Sequence, residues 1–242
     1  MRRLVLFDID GTILSGGPAR EAFLVALVEV FGTAGPIDRW EFSGKTDPQI
    51  ARELLTEAGI GRRRMGRMLP AMWDRYLEEL EARLPACPTR PLPGVPDLLA
   101  RLDGEPGVAT ALLTGNLAGG ARLKLESAGL GHWFPVGAFG SDHEVRNELP
   151  AVAVRRAETH WGTRFAPGEV VVVGDTPRDV ACGRAHGTRT VAVATGHFGV
   201  DALDGTGADV VLESLGETGR AFRAILGSGC RAAAGSLASR GS

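Results

Sequence analysis

Five short runs of the chain are almost continuously apolar: Leu4 to Phe7, Val108 to Leu113, Val170 to Val173, Thr190 to Val193 and Val210 to Leu212. A strand with helices on both of its faces has no wet side, so it reads as an unbroken apolar run and not as an alternation. Between these runs the apolar positions fall three and four apart, over Val95 to Leu102, Leu117 to Ala128, Ala151 to His160, Arg178 to Ala185 and Glu217 to Leu226. That spacing gives a helix one buried stripe. The repeated order of strand and helix predicts an α/β fold with a doubly wound, mostly parallel, Rossmann-like sheet.

One stretch breaks the alternation. Arg20 to Phe31, Pro48 to Ala58 and Arg64 to Leu84 all carry the helical period, with no convincing strand among them. We read residues 15–89 as a helical insert, and residues 1–14 with 90–226 as the core that it interrupts. Pro85, Pro88, Pro91, Pro93 and Pro96 mark the return, a composition expected of a stiff linker or hinge. Residues 227–242 are small and polar without periodicity, and are expected to form a disordered tail.

Composition narrows the function. The 242 residues are 44% hydrophobic and carry 27 basic against 29 acidic side chains, a net charge of −2. No basic excess argues for a nucleic-acid partner. The apolar runs are strand-sized, whereas a membrane helix needs roughly 20 residues. Met1-Arg2-Arg3 is followed by too short an apolar stretch for a signal peptide, so a cytoplasmic location is expected. Cys87, Cys182 and Cys230 show no metal-binding spacing and read as reduced thiols. Only two lysines occur, Lys45 and Lys124. Monomer and homodimer are equally open.

Ligands of doubly wound sheets bind at the carboxyl ends of the strands, so the polar residues that end each apolar run are the ones to compare. They are Asp8 and Asp10 after the first run, Thr114, Gly115 and Asn116 after the second, and Gly174, Asp175 and then Asp179 after the third. Carboxylates gathered without a cation raise one another's pKa and cost stability. A divalent ion resolves the conflict, and an oxygen-only donor set points to Mg²⁺ over zinc. Asp8 and Asp10 are two apart, which on an extended backbone puts both on one face. One can attack phosphorus while the other handles the leaving-group proton. Gly11 lets the chain turn and aims backbone N–H groups at an anion, with the Thr12 hydroxyl beside them; Thr114 and Gly115 make a second phosphate cradle.

In order and in position, Asp8-Ile9-Asp10-Gly11-Thr12, Thr114-Gly115-Asn116 and Gly174-Asp175-Thr176-Pro177-Arg178-Asp179 resemble the first, second and fourth motifs of the haloacid dehalogenase-like hydrolases. The insert resembles the type 1 cap of that family, and the whole looks like its phosphoglycolate phosphatase-like members. The resemblance implies Asp8 as nucleophile through an aspartyl-phosphate, Asp10 as general acid and base, and Thr114 as phosphate binder. It further implies Mg²⁺ on Asp8, the Asp10 carbonyl and Asp175, with Asp179 near or on the metal shell. Family dehalogenases lack the second aspartate of the first motif, so Asp10 favours phosphate chemistry. The expected reaction is hydrolysis of a small phosphorylated metabolite. A sugar phosphomutase and a non-catalytic phosphate-sensing domain are the alternatives.

The departure lies in the third motif, where the family usually carries a lysine. Arg146-Asn147-Glu148-Leu149-Pro150 occupies that interval, and Arg146 is the nearest cation. Its planar fork would bridge a carboxylate and a phosphate oxygen, and its loss would cost activity with little stability. Lys124 lies within an amphipathic helix and reads as surface. Lys45 is either a cap residue that reaches substrate on closure or a solvated loop residue. Asp179 either touches the metal shell or caps the helix at Val180. Asn116 either contacts substrate or orients its loop.

Overall fold

The computed structural model describes residues 2–227, so the expectation for the tail beyond Gly227 lies outside the described residues. In chain order the elements begin β1 (Arg3–Phe7), β2 (Leu14–Gly16), α1 (Ala19–Phe31), α2 (Asp47–Glu57), α3 (Arg62–Arg83) and β3 (Thr89–Pro91). They continue α4 (Val95–Asp103), β4 (Val108–Leu113), α5 (Ala118–Ser127), β5 (Gly137–Ala138) and α6 (Leu149–Trp161). The last are β6 (Val170–Gly174), α7 (Pro177–Ala185), β7 (Arg189–Val193), α8 (Val200–Asp204), β8 (Val210–Leu212) and α9 (Thr218–Leu226).

Six strands form one sheet in the order β5-β4-β1-β6-β7-β8, and every pairing in it is parallel. The continuous apolar runs have the cause inferred for them. Val5 and Phe7 point to a core shared with α4, α5 and α9, while Leu4 and Leu6 point to a second core shared with α6. All four side chains are fully buried. Because β4 and β6 flank β1, with Phe7 level with both Leu112 and Val173, their carboxyl ends open side by side. Asp8, Thr114 and Asp175 all follow at those ends.

Helices α1, α2 and α3 build a separate apolar core from residues such as Phe23, Leu27, Leu54, Met72, Tyr76 and Leu80. Leu117 and Leu123 at and within α5 join that core, so α5 is packed by the sheet on one side and by the insert on another. The chain leaves and rejoins the sheet unit through an antiparallel ribbon in which Leu14 pairs with Pro91, Ser15 with Arg90 and Gly16 with Thr89. The sequence reading took this crossing for a linker, because Thr-Arg-Pro carries no strand pattern of its own. No helix among the described residues is long and apolar enough to cross a membrane.

Candidate active site

Asp8 is 7% exposed, and its backbone N–H donates to the Val173 carbonyl at 2.9 Å, which fixes it at the end of the sheet. Arg146 lies 138 residues further on, on a 3-10 turn over Arg146–Glu148 just before α6. Its Nη2 donates to Asp8 Oδ1 at 2.8 Å, to Asp179 Oδ1 at 2.5 Å and to the Leu113 carbonyl at 3.4 Å. One nitrogen therefore makes all three of these contacts. The Arg146 Nε is buried and has no hydrogen-bond partner among the described residues. Because Arg146 is itself only 5% exposed and pairs two buried carboxylates, it is as much a part of the fold as of the site. That corrects the expectation that its loss would spare stability.

Asp179 is fully enclosed at the start of α7. Its Oδ2 accepts from the Thr176 N–H at 3.1 Å and the Thr176 hydroxyl at 2.7 Å, and its own N–H donates back to Thr176 Oγ1 at 3.3 Å. This reciprocal capping satisfies orphan donors at the helix start. With Oδ1 on Arg146, both oxygens of Asp179 are engaged.

Asp175 completes the acidic cluster. One oxygen from each of Asp8, Asp175 and Asp179 lies within 4.8 Å of the others. Burial raises the Asp8 carboxyl above its ordinary value against the pull of Arg146, and burial followed by the Asp8 and Asp179 charges raises Asp175. The cluster is thus short of positive charge, and its donors are oxygens only, which suits Mg²⁺ and not zinc. Thr12 is fully buried and gives its hydroxyl to Asp175 Oδ1 at 3.1 Å. The hydroxyl expected to meet a phosphate is here engaged with Asp175. Gly11, at φ 81°, fits here because a Cβ would lie 2.4 Å from Asp175 Oδ2. Gly196, which the sequence reading did not single out, is tighter still at 1.7 Å.

Asp10 leans the other way. Its carboxylate accepts from Lys124 Nζ at 2.9 and 2.8 Å and from Asn116 Nδ2 at 2.7 Å, and Lys124 also donates to Asn116 Oδ1 at 2.7 Å. Desolvation works to raise the Asp10 carboxyl, but Lys124 and Asn116 outweigh it and hold the group below its ordinary value. Lys124 is 3% exposed, so reading it as a surface residue is corrected. A helix packed on two sides leaves no wet stripe, and a cation within it has to find a buried anion. Asn116 Nδ2 also donates to the Thr114 hydroxyl at 2.8 Å, so Asn116 orients Asp10 and Thr114 together.

The loop before α2 docks over these residues. The Asp47 N–H donates to the Gly115 carbonyl at 2.8 Å, and Asp47 Oδ2 accepts from the Leu117 N–H at 2.8 Å. The insert thereby supplies the acceptor that the start of α5, with no side-chain cap of its own, lacks. A Cβ on Gly115 would lie 2.1 Å from the Lys45 carbonyl, so this approach requires glycine. Burial pushes the Asp47 carboxyl up to about 6. Lys45 lines the cavity, with its ammonium on Glu53 at 2.5 Å and 5.3 Å from the centre of the Trp40 ring. A cavity of about 360 Å³ between insert and sheet joins Asp8, Asp10, Gly11, Thr114, Gly115, Asn116, Lys45, Arg146 and Asp175. Cys182, behind Arg146, has its thiol pushed up to about 12 by burial and is not poised for chemistry.

Sequence reasoning missed Lys124, Asp47 and Gly196. For Lys124 a signal existed, since it is one of two lysines in the chain and sits between Leu123 and Leu125. For Asp47 and Gly196 there was none, because their contacts join segments far apart in the chain.

Residues 5–184 match the haloacid dehalogenase-like hydrolases, and the chain belongs to that family. It is 29% identical over 212 residues to a phosphoglycolate phosphatase of Synechococcus elongatus, covering 87% of this chain and 92% of that protein. It is 27% identical over 215 residues to an N-acetylmuramic acid 6-phosphate phosphatase of Pseudomonas aeruginosa, covering 87% and 90%. Among solved structures, a hydrolase from Pseudomonas syringae shares the fold with a TM-score of 0.69 at 18% identity, covering 94% of this chain and 100% of that one. The chain is an enzyme of the phosphatase class.

Proposed function

We propose that the protein hydrolyses a small phosphomonoester in two steps through an aspartyl-phosphate on Asp8. The observation that carries this reading is the opposed environment of the two aspartates of one loop. Asp8 is buried against a cation and a carboxylate cluster, whereas Asp10 is held by Lys124 with 49% of its side-chain surface exposed. Two carboxylates in such different surroundings can take different roles.

In the first step a carboxylate oxygen of Asp8 attacks phosphorus, and the bond to the leaving oxygen breaks. Arg146 keeps that carboxylate aimed and offsets its charge, with Asp179 and Thr176 fixing Arg146 in turn. Asp10, ionised at rest, takes up a proton from solvent or from the ester monoanion, gives it to the departing oxygen and then, ionised again, takes one from the water that attacks the aspartyl-phosphate. The ionised form of Asp10 is the one that Lys124 and Asn116 hold, which prepares the second step. Thr114 and Gly115 line the cavity, and the Thr114 hydroxyl and the Gly115 amide would receive phosphate oxygens. Asp8, Asp175 and the Asp10 carbonyl would hold Mg²⁺, which when bound supplies positive charge opposite the phosphate. Asp179, with both oxygens engaged, serves as a positioning residue.

Phosphate release from acetyl phosphate tests the reading directly. It should require Mg²⁺, be supported poorly by Ca²⁺, which prefers more ligands and looser geometry, and vanish in excess chelator. Turnover undiminished by chelator would overturn it. Protons compete with Mg²⁺ for Asp8 and Asp175, whose carboxyls are raised, so the half-saturating Mg²⁺ concentration should fall as pH rises from about 6 to about 8. A value constant over that interval would argue that these carboxylates are not the ligands. Lys124→Met should lower kcat about tenfold or more on an alkyl phosphate, because Asp10 loses the group that fixes its position. Wild-type rates in that variant would remove Lys124 from the mechanism.

A further inference from the structure

Three cations that line the cavity have their charge already matched. Of the lysines and arginines that line it, Arg146 is paired with Asp8 and Asp179, Lys124 with Asp10, and Lys45 with Glu53. Glu53 is further fixed by the Trp40 ring N–H and by Gln49, each at 2.9 Å. Arg20 lines the cavity 5.8 Å from the centre of the Phe42 ring, turned to the Ile37 carbonyl at 2.8 Å and to Asp38 at 3.6 Å. His197 lines it as well.

What the cavity offers instead is an apolar wall and two oxygen groups. Phe23, Phe42 and Ile50 form the wall, with the two phenyl rings 6.2 Å apart and edge to face. Asp47 uses one carboxylate oxygen on Leu117, and its other oxygen has no hydrogen-bond partner among the described residues. Tyr76 is 1% exposed, lines the same cavity, and its hydroxyl makes no hydrogen bond among the described residues. Neither oxygen is among the buried polar atoms that lack a partner, so both remain open to the cavity, where a hydroxylated ligand can meet them.

We propose that the leaving group is an uncharged, hydroxylated ring, so that the substrate is a neutral sugar phosphate and not a small ester carrying a carboxylate. The inference rests on the phosphatase reading and sharpens it. A sugar ring sets a C–H face against the phenyl and isoleucine wall and turns hydroxyl groups to Asp47 and Tyr76. A carboxylate in that position would meet the like charges of Asp10 and Asp47, with Lys45, Lys124 and Arg146 already engaged by their own carboxylates.

The test compares kcat/KM of the full-length, Mg²⁺-supplied enzyme on acetyl phosphate, on 2-phosphoglycolate and on a panel of neutral hexose and pentose phosphates. At least one sugar phosphate should exceed 2-phosphoglycolate by about tenfold or more. Equal or better use of 2-phosphoglycolate overturns the inference while leaving the phosphatase reading intact. No turnover of acetyl phosphate overturns both. Glu53→Gln frees the Lys45 ammonium while keeping an acceptor for Trp40. It should raise kcat/KM for 2-phosphoglycolate about tenfold and leave the sugar phosphates without a gain. If the wild type discriminates but this variant gains nothing on 2-phosphoglycolate, the matched charges are not the cause and the inference falls.

Discussion

Arg146→Ala should reduce kcat/KM on the order of 100-fold or more, the scale of losing one preorganised charge stabiliser. It should also destabilise the fold by about 3–5 kcal/mol, because Asp8 and Asp179 are left as buried carboxylates without their cation. Thermal or denaturant unfolding of the metal-free protein reads the second effect, and steady-state kinetics with saturating Mg²⁺ reads the first. Arg146→Lys separates geometry from charge. Only Nη2 makes the contacts and Nε has no partner, so a single ammonium reaching the same point should restore activity to within about tenfold of wild type. An alanine variant within about threefold of wild type would show that another cation does this work.

Asp8→Asn should abolish turnover, with a loss of at least about 10³-fold, since an amide is neither a nucleophile nor an anionic ligand. The fold should survive, because the amide oxygen still accepts from Arg146, Asp179 still pairs with it, and one charge fewer remains in a crowded cluster. A metal-free melting temperature at or above wild type, together with absent phosphate release, is the expected pair of results. Residual turnover near the wild-type rate would move the nucleophile elsewhere.

The parts of the fold legible in the sequence were those set by local pattern. The sheet strands other than β5 announced themselves because α/β packing buries both faces, as at Leu4 to Phe7. The helices other than the five-residue α8 followed from their apolar period, with Pro48 and Pro177 at the starts of α2 and α7. The two-residue β5 and the three-residue β2 and β3 stayed hidden, since elements so short carry no period, and β2 and β3 exist only by pairing across the insert. At the candidate site, the carboxylates were visible because they end apolar runs. Their division of labour was not. That Thr12 gives its hydroxyl to Asp175, that Asp179 is joined to Arg146 and that Lys124 is buried on Asp10 depend on which segments meet in space. Lys124 misled because the argument from an amphipathic helix assumes one wet side, and the insert covers it.

The ribbon of β2 and β3 bears on how such a chain is assembled over generations. Gly16 and Thr89 are paired neighbours. To the sheet, everything between them is the loop of a hairpin whose ends are already pinned. Loop closure depends only weakly on length, so an ancestral tight turn and a three-helix insert are nearly interchangeable from the sheet's side. Exchange of the insert is constrained elsewhere, at α5. There Leu117 and Leu123 belong to the insert's apolar core, Gly115 yields space to the Lys45 carbonyl, and the helix start borrows its acceptor from Asp47. A lineage trading one insert for another would have to rewrite that helix along with it, together with the contacts of Arg178 to Ser43 and of Glu144 to Thr46 and Arg52, and substitutions on α5 should therefore track the identity of the insert.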